Sequence, residues 1–571
     1  MRQLGRRLGF AITSAFLATI AVTLVRAVPT QVEAKAPGSQ AAPQGSNQAS
    51  NTVTCTVEVS PKTYSAPIAE ALQLYRTGKL DAAAAAYNAI ISAGGPDLLL
   101  AYIGLSRVYL RQEKVNEAFA AASSAVALTP GKTPAITALG EVYFRQGKMK
   151  LAEDSFLNPQ KVCDIDARSY LGLAKMYRAT SNYKREKRAI GQAYKLDPDD
   201  PDIKRVYMDT LSHAERIKFL QDYLSRETND DVEDRAGLVR ELAVLQDQAQ
   251  GTGRGCRITS KLTDTETPLE PLLEDPKHIR GYGLKIKVNG VPAKLLLDTG
   301  AGGILIDKRT AEKAGVKKVA DAAAGGIGDK GFASGYIGFA NFIQVGDLQF
   351  EGCYIQVLNR RSVLGDDGLI GADVFESYLV DIDFPDAKFK LSALPPYPDA
   401  SPKDAVSQAS LASNPEQGDN VRDRYVAPEM KKYTPVFRFY HMLLIPTSVN
   451  NSPATLFAMD TGAFANTITP EAAKQVTKLN RDEDLRVEGI NGEVKNVYTS
   501  TVSLKFAYFK RDREELTTFS LDSTSKAIGT EVSGLLGFVM LYMLDIKIDY
   551  RDGLVNFTYV PLGAKPKPVP N

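Results

Sequence analysis

Three textures follow one another along the chain. From about residue 61 to 250, apolar positions recur at helical spacing in Ala-rich runs broken by Gly and Pro, which predicts consecutive amphipathic helices. From 276 to 398, and again from 429 to about 565, short runs of Val, Ile, Leu, Phe and Tyr are punctuated by Gly, Asn and Asp, the texture of strands and hairpins. Segments 28–60, 251–275 and 399–428 are polar, without periodic apolar positions, and read as a flexible tether and two linkers. At the start, Arg2, Arg6 and Arg7 precede an uncharged stretch, Leu8 to Val25, and small-residue sites near Ala27. Residues 1–27 therefore read as a secretory signal or, because the stretch is 18 residues, as an uncleaved membrane anchor. Either reading takes the bulk of the chain out of the cytoplasm, to a periplasmic or secreted location.

The helical region repeats itself. Tyr109, Tyr143 and Tyr177 are 34 residues apart, and Glu113, Gly147 and Ser181 keep the same interval, with Gly78 extending it backwards. Leu139, Gly140, Tyr143, Gly147, Ala152 and Phe156 stand at offsets that resemble the tetratricopeptide repeat, and about four units cover residues 66 to 200. In such a unit Ala83, Ala118 and Ala152 let paired helices approach, the aromatic residues fill the space between units, and Pro130 and Pro198 stop the second helix. Residues 201–250 continue as capping helices. The resemblance implies a concave surface for an unidentified protein partner; a rigid spacer is the alternative.

The β regions carry one pattern twice. GLKIKVNGVPAKLLLDTGAGGILID and FYHMLLIPTSVNNSPATLFAMDTGAFANTIT each read as a hairpin whose second strand ends in Asp-Thr-Gly-Ala, at Asp298 and Asp460. Chance occurrence of such a tripeptide in a chain of this length is on the order of 0.1, so two in matching contexts signal a duplication. Gly325, Gly326, Ile327 and Gly328 follow the first aspartate, and Gly489, Ile490, Asn491 and Gly492 follow the second, at nearly equal distances. Gly368-Leu369-Ile370-Gly371 is answered by Gly534-Leu535-Leu536-Gly537, and Tyr378–Ile382 by Tyr542–Ile546. The set resembles the retropepsin-like aspartic peptidases, over roughly 276–398 and 429–562.

The fold class that follows is multidomain: an α-helical tetratricopeptide solenoid followed by two all-β retropepsin-like acid-protease lobes. The resemblance implies one aspartate from each lobe, Asp298 opposite Asp460, hydrolysing a peptide or protein substrate. Two carboxylates sharing a proton cannot both ionise cheaply, so one works as base and the other as acid. Gly300 and Gly462 leave room beside the carboxylates, and by the resemblance Thr299 and Thr461 brace the two turns. Residues 325–328 and 489–492 would be flaps closing over an extended peptide. Ala301 and Ala463 stand where pepsin-like enzymes carry a hydroxyl, which predicts a pH optimum nearer neutral. One departure is plain: Gly371 is followed by Ala372-Asp373, but Gly537 by Phe538-Val539, so the second lobe lacks the usual acid.

Composition narrows the remainder. Lys+Arg 69 against Asp+Glu 67 gives a net charge of +2 without a dense basic run, so nucleic acid is not an implied partner. His213, His278 and His441 are scattered singly, which suits neither a metal site nor a Ser-His pair, and no cofactor or metal is implied. Cys55, Cys163, Cys256 and Cys353 form no CxxC and no compact framework; an exported chain could pair some of them, but they read first as isolated buried or unpaired thiols. GTGRG at 251–255 reads as linker, and Asp381/Asp383 and Asp545/Asp549 as solvent-facing or locally paired acids on closing strands. The main functional expectation is an exported aspartic endopeptidase; the alternative is a non-catalytic peptide-binding or scaffold protein.

Overall fold

A computed structural model describes residues 63–161, 166–225, 232–250, 256–275, 278–360, 366–398, 422–481 and 485–560. The leader, the tether, Cys55, Cys163, the GTGRG run and most of segment 399–428 lie outside the described residues. Among the described residues, no helix is long and apolar enough to cross a membrane.

Four helix pairs form the solenoid: α1 (Ala66–Arg76) with α2 (Leu80–Ala93), α3 (Leu98–Arg111) with α4 (Val115–Leu128), α5 (Thr133–Arg145) with α6 (Met149–Lys161), and α7 (Ala167–Ala179) with α8 (Tyr183–Leu196). The 34-residue interval has a backbone cause. Gly78, Glu113, Gly147 and Ser181 each occupy the turn between paired helices at φ of 73°, 59°, 69° and 55°, the left-handed conformation that reverses the chain. Ala83, Ala118, Ala152 and Phe156 are buried at the helix contacts. Beyond them, α9 (Pro201–Met208), α10 (His213–Ser225) and α11 (Val232–Gln250) continue the stack, and Asp247 of α11 accepts the Tyr354 hydroxyl of the first β lobe at 2.6 Å.

The expected open concave face is closed. Tyr75 on α1 donates its hydroxyl to Asp202 on α9 at 2.6 Å, and Arg76 reaches Asp197 at 2.7 Å, so the first repeat meets the end of the fourth. Between them Arg168 on α7 binds Asp200 at 2.7 Å, Asp202 at 2.8 Å and the Tyr75 oxygen at 2.9 Å, while Arg107 on α3 binds Glu141 on α5 at 3.0 Å. The inner face is thus filled by its own ion network.

The solenoid is also no free arm. The last carbonyls of α5 are taken by the second lobe: Thr530 Oγ1 donates to Phe144 O at 2.7 Å and the Glu531 N–H to Arg145 O at 2.9 Å. Phe144, Met149 and Phe156 share a buried core with Phe439, Met442, Leu444, Leu456 and Val532. Beyond segment 399–421, Asp423 meets Arg185 of α8 and the Tyr425 N–H binds Asp552, so the end of the expected linker is pinned.

Each lobe is a sheet built around its Asp-Thr-Gly strand. In the first, Val291–Asp298 runs parallel to Gly368–Gly371, with Asp298 opposite Gly371; Ile304–Asp307 pairs antiparallel to the same short strand. In the second, Thr455–Met459 runs parallel to Gly534–Leu536, which pairs antiparallel to Thr467–Ile468. The same register arises twice because the same apolar run feeds the same turn. A third, six-stranded sheet joins the lobes, with Tyr378–Asp383 of the first antiparallel to Leu544–Asp549 of the second; Val380, Ile382, Ile546 and Ile548 bury one of its faces.

Two expectations are corrected. Segment 251–275 is not merely a linker: Arg257–Ile258 pairs with Phe350–Glu351, Asp264–Pro268 joins the interlobe sheet, and Glu270–Asp275 pairs with the strand His278–Val288. Cys256 and Cys353 are joined in a disulfide that fastens this segment to the first lobe. Of the acids on the closing strands, Asp381, Asp383 and Asp549 are buried, and the locally paired alternative holds for Asp383, bound to Lys390 at 2.7 Å, and for Asp381, which reaches Lys547 on the neighbouring strand at 3.4 Å.

Candidate active site

Both Asp-Thr-Gly turns come from one chain and face each other across the lobe interface. Thr299 Oγ1 donates to Met459 O and Thr461 Oγ1 to Leu297 O, both at 2.8 Å, and each hydroxyl also accepts the other threonine's N–H, at 3.0 and 3.1 Å. Four hydrogen bonds thereby lock the turns together. Gly300 and Gly462 serve the opposite lobe: a Cβ on Gly300 would lie 2.6 Å from Asp460 Cγ, and one on Gly462 would lie 2.4 Å from Asp298 Cγ. Only glycine leaves the space for both carboxylates.

The carboxyl groups of Asp298 and Asp460 lie next to each other, each against the other turn's glycine. Two buried carboxylates so placed cannot both ionise cheaply. Burial, followed by the neighbouring Asp460, pushes Asp298 well above the usual carboxylate range. Burial also raises Asp460, but the N–H groups of Gly462 and Ala463, at 3.0 and 2.8 Å from one oxygen, and the Asp298 carboxyl beside it favour its charged form. Asp298 Oδ1 accepts one such N–H, from Gly300 at 2.8 Å, against two on Asp460, so the pair shares a proton with the charge favoured on Asp460.

The flap residues also meet. The Asn491 N–H donates to Ile327 O at 2.9 Å, the Lys330 N–H to Asn491 O at 2.9 Å, and Asn491 Nδ2 to Gly326 O at 3.1 Å. Gly325–Gly328 and Gly489–Gly492 thus form one tip-to-tip contact, in which Gly328 and Gly489 lie against the opposite backbone. Ile490, from the second tip, packs on the same apolar cluster as Ala301, next to Thr299-Gly300, together with Leu296, Leu305 and Leu369. A cavity of about 210 Å³ beside the first tip is lined by Ile327, Asp329, Val494, Lys495 and Leu521, away from the dyad.

The departure after Gly537 has a structural answer. In the first lobe the Asp373 carboxylate accepts the Gly303 N–H at 3.0 Å, and burial raises it to about 6. In the second, buried Asn466 accepts the Gly537 N–H at 2.9 Å, and Phe538 packs its ring against Tyr282 and Phe384 of the first lobe. Asn466 was not singled out from the sequence, where only its place six residues after Asp460 marks it.

Two segments, 284–374 and 445–539, match the family model for aspartyl proteases, and 68–133 matches a tetratricopeptide repeat model. The two lobes are aspartyl protease-like domains, and the solenoid is built of tetratricopeptide repeats. No curated protein matches the chain. Among solved structures, an aspartic proteinase from Irpex lacteus is 12% identical over 53% of this chain and 100% of its own, with a TM-score of 0.32. A thermophilic tetratricopeptide repeat protein of Thermus thermophilus is 21% identical over 32% of this chain and 97% of its own, TM-score 0.25. A repeat protein of Parabacteroides merdae is 16% identical over 32% and 72%, TM-score 0.23.

Proposed function

We propose that this protein is an exported aspartic endopeptidase whose two lobes form one catalytic dyad within a single chain. The observation that carries this reading is the placement of the Asp298 and Asp460 carboxyl groups side by side, each against the other turn's glycine, in turns locked by Thr299 and Thr461. The Asp460 carboxylate takes a proton from a water held between the two groups. That water attacks the peptide carbonyl, while Asp298 gives its proton to the carbonyl oxygen. The tetrahedral diol then collapses: one hydroxyl returns a proton to Asp298, the proton on Asp460 passes to the leaving nitrogen, and the C–N bond breaks. Closed flaps exclude competing water during these transfers.

Two features support export: the apolar leader, and the Cys256–Cys353 disulfide, a bond that persists in oxidising compartments. The filled inner face and the core shared with the second lobe support a framework role for the solenoid. Its outer surface is then what remains for a partner protein. Peptide cleavage by the full chain and by Asp298→Asn and Asp460→Asn tests the proposal. Loss of cleavage in both variants is expected from one shared dyad, and equal cleavage by all three proteins would sink it.

A further inference from the structure

The two active-site turns are not held alike. The second lobe begins with a tight hairpin, Phe437–Phe439 into Met442–Val449, whose tip is Tyr440 and His441, with Tyr440 at φ +54°. This tip crosses to the other lobe. His441 Nε2 lies 3.2 Å from Gly300 O, and the ring lies against Gly302 so closely that a Cβ there would be 2.6 Å from Nδ1. A carbonyl only accepts, so Nε2 carries the proton and, in the neutral ring, Nδ1 does not. Burial, together with Arg438, keeps His441 below its ordinary value despite its bond to Gly300, which favours that neutral ring.

Gly300 O and the Ala301 N–H belong to one peptide unit; that N–H donates to the Asp298 main-chain oxygen at 3.3 Å and favours the charged form of the Asp298 carboxyl, whose Oδ1 takes the Gly300 N–H at 2.8 Å. A donor on the oxygen of a peptide polarises the unit and strengthens the N–H on its far side. We propose that His441 is a positioning residue for Asp298: its imidazole N–H, given across the lobe interface to Gly300 O, fixes the Gly300–Ala301 peptide and keeps the Ala301 N–H aimed at the aspartate. The inference deepens the peptidase reading and rests on it.

The hairpin is itself anchored at both ends. Arg438 donates to Glu376 of the first lobe at 2.5 Å and to Tyr550 O at 2.7 Å, and the Phe439 ring stands 6.0 Å from Phe144 of α5. The charged and titratable groups around His441 and the turn are Arg438 on the same hairpin, Asp373 and Glu376 on the segment after Gly371, Tyr550 after the closing strand, and Asp460 opposite. From the solenoid, Arg178, Arg205, Asp209 and Arg216 face Tyr440. At the position that corresponds to His441 by strand register the first lobe has Arg280, whose guanidinium binds Asp366 of its own lobe.

Two variants of the full chain separate the N–H from the bulk of the ring. His441→Gln keeps a donor within reach, and His441→Met fills the space without one. With peptide substrate, His441→Met is expected to lower kcat about tenfold, the effect of one lost hydrogen bond at a buried group, with KM within about twofold of wild type. Its basic pH limb should move upward, because Asp298 holds its proton more tightly once Ala301 donates less strongly, and His441→Gln should recover most of kcat. Should His441→Met not fold, Gly302→Ala, which pushes the imidazole off Gly300, is expected to reproduce the loss. Unchanged kcat and an unmoved basic limb in a protein that Asp298→Asn inactivates would overturn the role of His441 and leave the peptidase reading standing. If the wild-type chain cleaves nothing, the peptidase reading fails, and carbon-13 titration of the Asp298 carboxyl decides the positioning role alone. An upward shift in His441→Met supports it, and no shift overturns it.

Discussion

Thr299 and Thr461 hold each other reciprocally: each hydroxyl accepts the other's N–H and donates to a carbonyl one residue before the opposite aspartate. Both side chains are buried, so none of these groups can turn to water. Thr461→Val keeps the shape and leaves the Thr299 N–H and Leu297 O unpaired. A loss of about 3 kcal/mol in unfolding free energy is expected. Urea unfolding measures it, and a loss below about 0.5 kcal/mol would show that the brace is not a structural lock.

Cys256 and Cys353 lie 97 residues apart, and their bond closes a loop that contains most of the first lobe. In the chain-entropy account a loop of that size stabilises the fold by about 5 kcal/mol. The double variant Cys256→Ala, Cys353→Ala should unfold at a markedly lower temperature, and reductant should shift wild type towards it. Equal melting of wild type with and without reductant would contradict the bridge.

Arg168 is buried among Asp200, Asp202, Glu141 and the Tyr75 hydroxyl. Arg168→Met removes the cation and leaves the carboxylates facing one another. Breaking a buried network from one side costs about 3–5 kcal/mol. The solenoid signal in urea unfolding, followed by circular dichroism at helix wavelengths, reads that loss.

The interlobe sheet carries a second set of acids. Burial, then hydrogen bonding and charge from Asp381, raises Asp545 to about 7; burial, then Asp552, raises Asp549 to about 7. In the unfolded chain both titrate near 4. The folded state therefore binds more protons between roughly pH 4 and 7, and stability falls as pH rises through that window. Because the acids interact, the values belong to the group rather than to single residues. Asp545→Asn should flatten the decline, and urea midpoints between pH 5 and 8 check it; an identical slope in the variant would remove Asp545 from the account.

What could be read from the chain was what short segments decide. The duplicated Asp-Thr-Gly turns, the flap glycines and the 34-residue interval are local patterns, because the same backbone turn selects the same residues each time. What escaped depends on partners far away in sequence. Asp264–Pro268 has no apolar alternation, since it adds to a sheet edge through backbone hydrogen bonds and leaves its side chains largely exposed. Cys256 and Cys353 lack a motif because their proximity is made by the sheet between them. His441 looked like a lone histidine until the hairpin tip carried it across to Gly300. The closure of the inner face depends on Tyr75 and Asp202, 127 residues apart, a distance no repeat period encodes.

That closure bears on how the solenoid comes apart. Open helical repeats exchange contacts only with their neighbours, so their ends fray and their melting spreads over a range. With Tyr75 and Arg76 of α1 fastened to the far end of the stack at Asp202 and Asp197, the first helix can leave only by breaking the ring. Terminal and central amides should then exchange with solvent at similar rates, and the four repeats should melt in a single sharp step.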